Sequence, residues 1–274
     1  MQSSGRFEAL FERLSVEGRP GLYPFLTAGD PNLDFTRRLI PALAAAGADG
    51  FEIGVPFSDP LADGPTIQRA SMRSLEGGTT LRSVIDLVAG VRAEAPDPPM
   101  VLMTYYNPII AFGIKEFCAE AARAGADAVI VPDLPPEEAG ELFEAMAEVP
   151  LEPIFMLAPT STDARIDLVN RSGGGFIYYV AQMGVTGARD SLASDLGGAL
   201  ERINRVKNRP VAVGFGIKSP EQATEAGALG DGVIVGSALI DVMEKEEGEE
   251  EKLGAACRFI ESLRSALEKS RTAT

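Results

Sequence analysis

Two carboxylates share one short segment, Phe51-Glu52-Ile53-Gly54-Val55-Pro56-Phe57-Ser58-Asp59-Pro60-Leu61-Ala62-Asp63-Gly64-Pro65. Glu52 falls inside an apolar, strand-like run, where an acid is costly unless it is protonated, paired or functional. Asp63 follows in a loop stiffened by Pro56, Pro60 and Pro65. Taken singly, Glu52 could answer a buried cation and Asp63 could be a turn or helix-cap residue. Together they point to acid–base chemistry. The chain contains no histidine, which removes the commonest general base and the commonest zinc or iron ligand. Catalysis must rest on carboxylates, tyrosines, lysines or backbone groups, and no metal site is expected.

A second group is glycine-rich. Gly184-Val185-Thr186-Gly187-Ala188-Arg189, Val213-Gly214-Phe215-Gly216-Ile217-Lys218 and Val235-Gly236-Ser237-Ala238 each follow or end an apolar run. Small residues let backbone N–H groups approach an anion, and a helix starting at Ser237 adds its partial positive charge. A third group is aromatic and apolar: Phe25, Met103, Tyr105, Ile130, Tyr178 and Phe215. Those nearest the ends of their runs could wall a flat aromatic pocket; the others are core.

These residues are spaced along eight short apolar runs: Gly21 to Thr27, Gly50 to Val55, Met100 to Tyr106, Ala126 to Val131, Glu152 to Leu157, Gly175 to Val180, Pro210 to Phe215 and Gly232 to Val235. Near-continuous hydrophobicity fits strands covered on both faces, hence a parallel sheet. Helical spacing predicts helices over Phe35 to Ala46, Thr80 to Arg92, Ile114 to Ala124, Pro136 to Ala147, Ile166 to Arg171, Leu196 to Val206 and Pro220 to Ala226. Ala-Ala-Gly-Ala-Asp-Gly at 45–50, Arg-Ala-Gly-Ala-Asp-Ala at 123–128 and Glu-Ala-Gly-Ala at 225–228 repeat one phrase, whose glycine is expected to cap a helix in the left-handed region. The expected fold is α/β: one (β/α)₈ TIM barrel over residues 1–274, with an extra N-terminal helix (Phe7 to Leu14) and a C-terminal one (Leu253 to Leu267). A doubly wound open sheet suits the strand count less well. In a barrel, chemistry gathers at the C-terminal strand ends, and phosphate sits after the seventh and eighth strands.

The composition narrows the partners. A net charge of −15 disfavours nucleic acid and anionic membrane. No run approaches the length of a membrane span, and the N-terminus lacks the pattern of a secretory signal. Cys118 and Cys257, far apart in helix-like segments, read as buried thiols in a reducing, cytoplasmic compartment. Glu244-Lys245-Glu246-Glu247-Gly248-Glu249-Glu250-Glu251 reads as a solvated loop before the last helix. A metal aldolase would need histidines. A Schiff-base aldolase would need a lysine on a strand, and Lys218, the one lysine near a strand end, stands beside the proposed anion loop.

Several motifs together carry a family resemblance: Tyr23-Pro24-Phe25-Leu26-Thr27-Ala28-Gly29-Asp30-Pro31, the stretch from Glu52 to Gln68, Met103-Thr104-Tyr105-Tyr106-Asn107-Pro108, Val131-Pro132-Asp133-Leu134-Pro135 and the three glycine motifs above. Across nearly its full length the chain resembles the α subunit of tryptophan synthase. The resemblance implies reversible cleavage of indole-3-glycerol phosphate to indole and glyceraldehyde 3-phosphate. It implies Glu52 and Asp63 as catalytic residues. Gly187, Gly216, Gly236 and Ser237 would hold phosphate, and Phe25, Tyr178 and Phe215 would flank the indole. The loops Pro56 to Asp63 and Thr186 to about Leu196 would face a β subunit that carries pyridoxal phosphate (PLP), in an α2β2 heterotetramer, with no cofactor in this chain. Before the Gly-Val-Thr-Gly motif the family often has Ser and then a basic residue. Here Ala181-Gln182-Met183 stand there, a departure that bears on loop closure and coupling to the partner. Three other readings stand beside this one. A sister barrel that forms indole-glycerol phosphate would need a strand lysine, a non-catalytic regulatory subunit would have no use for the two acids, and a stand-alone lyase would work without a partner.

Overall fold

The computed structural model describes residues 3–180, 189–214 and 216–269, without the side chains of 189–196 and 269. Short parallel strands form a ring: β1 (Gly21–Thr27), β2 (Phe51–Gly54), β3 (Met100–Met103), β4 (Ala128–Ile130), β5 (Glu152–Ile154), β6 (Met156–Leu157), β7 (Ile177–Val180), β8 (Val211–Gly214) and β9 (Gly232–Val235). Neighbours run in the order β5-β4-β3-β2-β1-β9-β8-β7-β6. The fifth predicted run is thus two strands interrupted at Phe155; its first half pairs with β4 and its second with β7, so the ring closes through one segment. This is the expected TIM barrel.

The helices around it are α1 (Arg6–Glu17), α2 (Leu33–Ala45), α3 (Pro65–Glu76), α4 (Leu81–Glu94), α5 (Tyr106–Phe112), α6 (Ile114–Ala124), α7 (Gly140–Met146), α8 (Asp163–Ser172), α9 (Arg189–Val206), α10 (Pro220–Leu229), α11 (Ser237–Glu244) and α12 (Glu249–Lys269). α3 and α5 are absent from the sequence reading. α3 buries only Ala70, Ser71 and Ser74, which leave no apolar stripe to detect. α5 is a short helix containing Pro108, and it ends the third run at Met103 instead of Tyr106. Of the acidic cluster, residues 245–248 form the expected loop before the last helix, and its two ends are helical. Glu244 closes α11, and Glu249, Glu250 and Glu251 form the first turn of α12, where negative charge is favoured by the helix dipole. Cys118 is buried as expected, whereas Cys257 is partly exposed; both are free thiols.

Alternation along the strands separates two cores. Phe51 and Ile53 face the outer helices in the large cluster, while the interior holds Tyr23, Val101, Ala128, Ile130, Ile154, Phe176, Ala212 and Ile234. Phe7, Leu10 and Leu14 of α1 join that interior cluster, so the N-terminal helix plugs one end of the barrel. The Tyr23 ring there occupies space that a side chain at Gly21, Gly50 or Gly232 would invade, at 2.6–2.9 Å.

The same end carries the repeated Asp. Asp49 accepts the Leu22 N–H at 3.0 Å, Asp127 the Met100 N–H at 2.7 Å and Asp231 the Val211 N–H at 2.9 Å. Each carboxylate preceding one strand thus ties down the start of the strand before it, and arginines from α1, α4 and α12, with Arg19 between α1 and β1, neutralise Asp49 and Asp127. Gly47 and Gly125 take the predicted left-handed conformation. Gly227 does not, because α10 runs past it to Leu229. With one end of the barrel plugged and tied in this way, the strand C-termini at the other are left to build a site.

Candidate active site

Glu52 is the central strand residue that points inward, between Phe25 of β1 and Val101 of β3 in register. It is 3% exposed, and neither carboxyl oxygen has a partner in hydrogen-bond geometry. Burial first, and the nearby Asp63 charge second, push its pKa up from 4.5 to about 8, against a small opposing pull from the Tyr178 hydroxyl. A carboxyl group in this state is a neutral acid at pH 7, able to give up a proton and take it back.

Asp63 is brought over Glu52 by the loop after β2. Its N–H donates to the Pro60 carbonyl at 3.2 Å, and the Gln68 amide returns from α3 to its own carbonyl at 2.8 Å. Pro65 starts α3 at a position where no N–H is needed. Tyr105 pins the loop, accepting the Ala62 N–H at 2.9 Å and packing on Phe57 with ring centroids 5.2 Å apart. Asp63 is only partly buried. Burial raises its pKa, and the Tyr105 hydroxyl pulls it down.

Both acids face one cavity of about 700 Å³ at the C-terminal strand ends. Phe25, Met103 and Tyr178 form part of its wall, and Gly214, Gly216, Gly236 and Ser237 another part. Glycines make room for the rings: a Cβ at Gly54 would lie 2.5 Å from Phe25, and one at Gly214 would lie 2.8 Å from Tyr178. Gly216 has φ +58°, a conformation that favours glycine. Gly236 brings no capping side chain to the start of α11, so that helix offers its first turn to an anion at the cavity edge.

A family model for the tryptophan synthase alpha chain matches residues 11–268. The chain belongs to the tryptophan synthase alpha chain family. The alpha chain of Geobacter sp. (strain M21) is 48% identical over 96% of this chain and 97% of its own length. That of Citrifermentans bemidjiense is 49% identical over the same shares. Among solved structures, the alpha subunit from Legionella pneumophila str. Paris superposes with a TM-score of 0.88 at 34% identity, covering 98% of this chain and all of its own. A Mycobacterium tuberculosis tryptophan synthase chain gives 0.87 at 33% identity, covering 98% and 99%.

The predicted site residues of this alpha-chain relative fall into three sets. Glu52, Asp63, Phe25, Met103, Tyr178, Gly216, Gly236 and Ser237 line the cavity. Tyr105 stands behind Asp63 as the loop's anchor, and Ile130, 1% exposed, packs in the barrel interior instead of on the cavity wall. Thr186, Gly187 and Phe215 lie outside the described residues, as do Ala181, Gln182 and Met183. Sequence reasoning missed Ile67 on α3, Leu134 after β4, and Phe155 and Leu157 beside the β5–β6 break, all of which line the cavity. The Val131-Pro132-Asp133-Leu134-Pro135 motif was the available signal for Leu134. For Ile67 the signal was the stretch from Glu52 to Gln68, since periodicity alone does not show its helix.

Proposed function

We propose that this chain cleaves indole-3-glycerol phosphate reversibly to indole and D-glyceraldehyde 3-phosphate, with Glu52 and Asp63 as its catalytic residues. The observation that carries the assignment of roles is the buried Glu52 facing the cavity with no cation among the described residues paired to it, its pKa raised to about 8. In its neutral form Glu52 protonates indole C3, which turns the ring into an iminium-like electron sink. The resulting carboxylate takes the proton of the side-chain hydroxyl next to the scissile bond. That bond's electrons then flow into the ring, leaving indole and an aldehyde. Asp63, as carboxylate, accepts the indole N–H and stabilises the positive charge that develops there. The ring itself accepts the electrons, so the step needs neither a lysine nor a metal.

Phosphate is assigned to Gly187, Gly216, Gly236 and Ser237 by resemblance, and Thr186 to the substrate. Phe25, Met103, Tyr178 and Phe215 are assigned to the indole, and Tyr105 to holding Asp63. A cavity of about 700 Å³ suits a ligand of this size. Residues 1–274 are read as one barrel domain, supported by a ring of strands running from Gly21 to Val235.

The partner is read as a β subunit carrying PLP in an α2β2 assembly located in the cytoplasm. This reading rests on the family and on the resemblance of the Pro56 to Asp63 loop to a partner-facing one, in which Leu61 is 91% exposed. Among the described residues, no helix is long and apolar enough to cross a membrane. The test is indole release from indole-3-glycerol phosphate by the purified chain, with and without the β subunit. Slow release that rises sharply with the β chain is expected. No indole in either case would overturn the reading.

A further inference from the structure

The two ends of the proposed reaction belong to segments distant in sequence: Asp63 leads into α3, and Ser237 begins α11. Between these helices lies a polar network that the chemistry above does not use. The Thr66 hydroxyl donates to Asp241 at 3.0 Å. Arg69 reaches Glu244 at 2.7 Å and Asp241 at 3.7 Å. Arg73 donates to Glu244 at 2.6 Å and grips Asp30, after β1, with two hydrogen bonds at 2.8 and 2.7 Å. Ser74 adds a bond to the Ala28 carbonyl at 2.5 Å. Under this network Ile67, Ala70 and Ile240 pack on Phe25, itself part of the cavity wall.

None of the seven charged or hydroxyl groups from Asp30 to Glu244 lines the cavity, so substrate binding does not account for them. The partly exposed Arg69–Glu244 pair contributes about 0–1 kcal/mol, whereas the two-pronged Arg73 contact on the buried Asp30 adds stability and also fixes where α3 sits. Their geometry does something more specific. Thr66, Arg69 and Arg73 recur at helical spacing on one face of α3, and Asp241 and Glu244 do so on α11. The two-pronged arginine–carboxylate contact fixes direction as well as distance.

We propose that Thr66, Arg69, Arg73, Asp241 and Glu244 are positioning residues, clamping α3 to α11 so that a substrate held by its phosphate at Ser237 meets Asp63 in fixed register. This rests on the lyase reading above. A misplacement of 1 Å is enough to cost about 100-fold in rate. Loosening the clamp therefore lowers turnover while leaving the phosphate seat intact.

The experiment is steady-state indole release by the chain with its β subunit, comparing Thr66→Val, Thr66→Ser, and Thr66→Val combined with Glu244→Gln. The double variant should lose about 10- to 100-fold in kcat with KM within about twofold, and Thr66→Ser, which keeps the hydroxyl, should restore the rate. Thr66→Val alone carries the test if the double variant does not fold. In an Asp63→Asn background the clamp substitutions should cost almost nothing further, because they act through Asp63. Unchanged kcat, a KM rise at constant kcat, or full additivity with Asp63→Asn would each overturn the proposal. Failure of the lyase reading shows separately, as no indole from the unsubstituted chain, and the clamp's assigned role falls with it.

Discussion

Replacing Glu52 by Gln should change how the stability of this protein depends on pH, apart from any effect on activity. The Glu52 carboxyl is held near pKa 8 by burial and by Asp63, whereas in the unfolded chain it titrates near its ordinary value. Between about pH 4.5 and 8 the unfolded state gives up a proton that the folded state keeps at Glu52, so the contribution of Glu52 to wild-type stability falls as pH rises through this window and levels off above it. At about 1.4 kcal/mol per pH unit, the interval amounts to on the order of 5 kcal/mol. Water penetration around the ionised group reduces that figure. Gln does not titrate, and any cost of burying its amide is the same at every pH. The stability of Glu52→Gln minus that of wild type should therefore grow by roughly 3–5 kcal/mol between pH 5 and pH 9. Urea unfolding of both proteins at fixed ionic strength measures the difference directly. A difference that stays flat within about 1 kcal/mol across that range would refute the raised pKa.

Three further outcomes are expected. Asp63→Asn should lose about 10²- to 10³-fold in kcat while binding of inorganic phosphate, followed by calorimetry, stays the same; a loss below tenfold would remove Asp63 from the chemistry. Asp127 is fully buried and answers Arg6, Arg92 and the Met100 N–H, so Asp127→Ala should cost about 3–5 kcal/mol of unfolding free energy, and a cost under 1 kcal/mol in urea titration would contradict the strand-tying role. Gly54→Ala puts a Cβ at 2.5 Å from the Phe25 ring. It should cost about 1–3 kcal/mol and raise KM as the ring is pushed into the cavity, whereas a crystal structure with Phe25 unmoved would count against this.

Much of this was legible before any coordinates. Strands buried on both faces leave uninterrupted apolar runs, and one acid inside such a run, Glu52, stands out against them. The glycines at 214, 216 and 236 were visible as a set because three strand ends repeat the same small-residue pattern. What stayed hidden has physical causes. α3 buries small and polar residues, so neither its existence nor the placement of Ile67, Thr66 and Arg73 could be read from periodicity. Phe155 and Leu157 reach the cavity because the fifth run breaks in the middle, a local event that continuous hydrophobicity conceals. Ile130 and Met103 pair in register on adjacent strands, yet one is core and the other cavity wall. The acidic residues near 250 are largely solvated, as composition suggests, but composition does not show that Arg38 of α2 pairs with Glu249 and Glu250.

The central claim is that Glu52 moves the proton on which carbon–carbon cleavage depends. Its most direct test is single-turnover indole release from saturating indole-3-glycerol phosphate, with the β subunit present, by wild type and Glu52→Gln. The account predicts a loss of about 10²- to 10⁴-fold in the variant with substrate affinity retained. Release within a few-fold of wild type would contradict it.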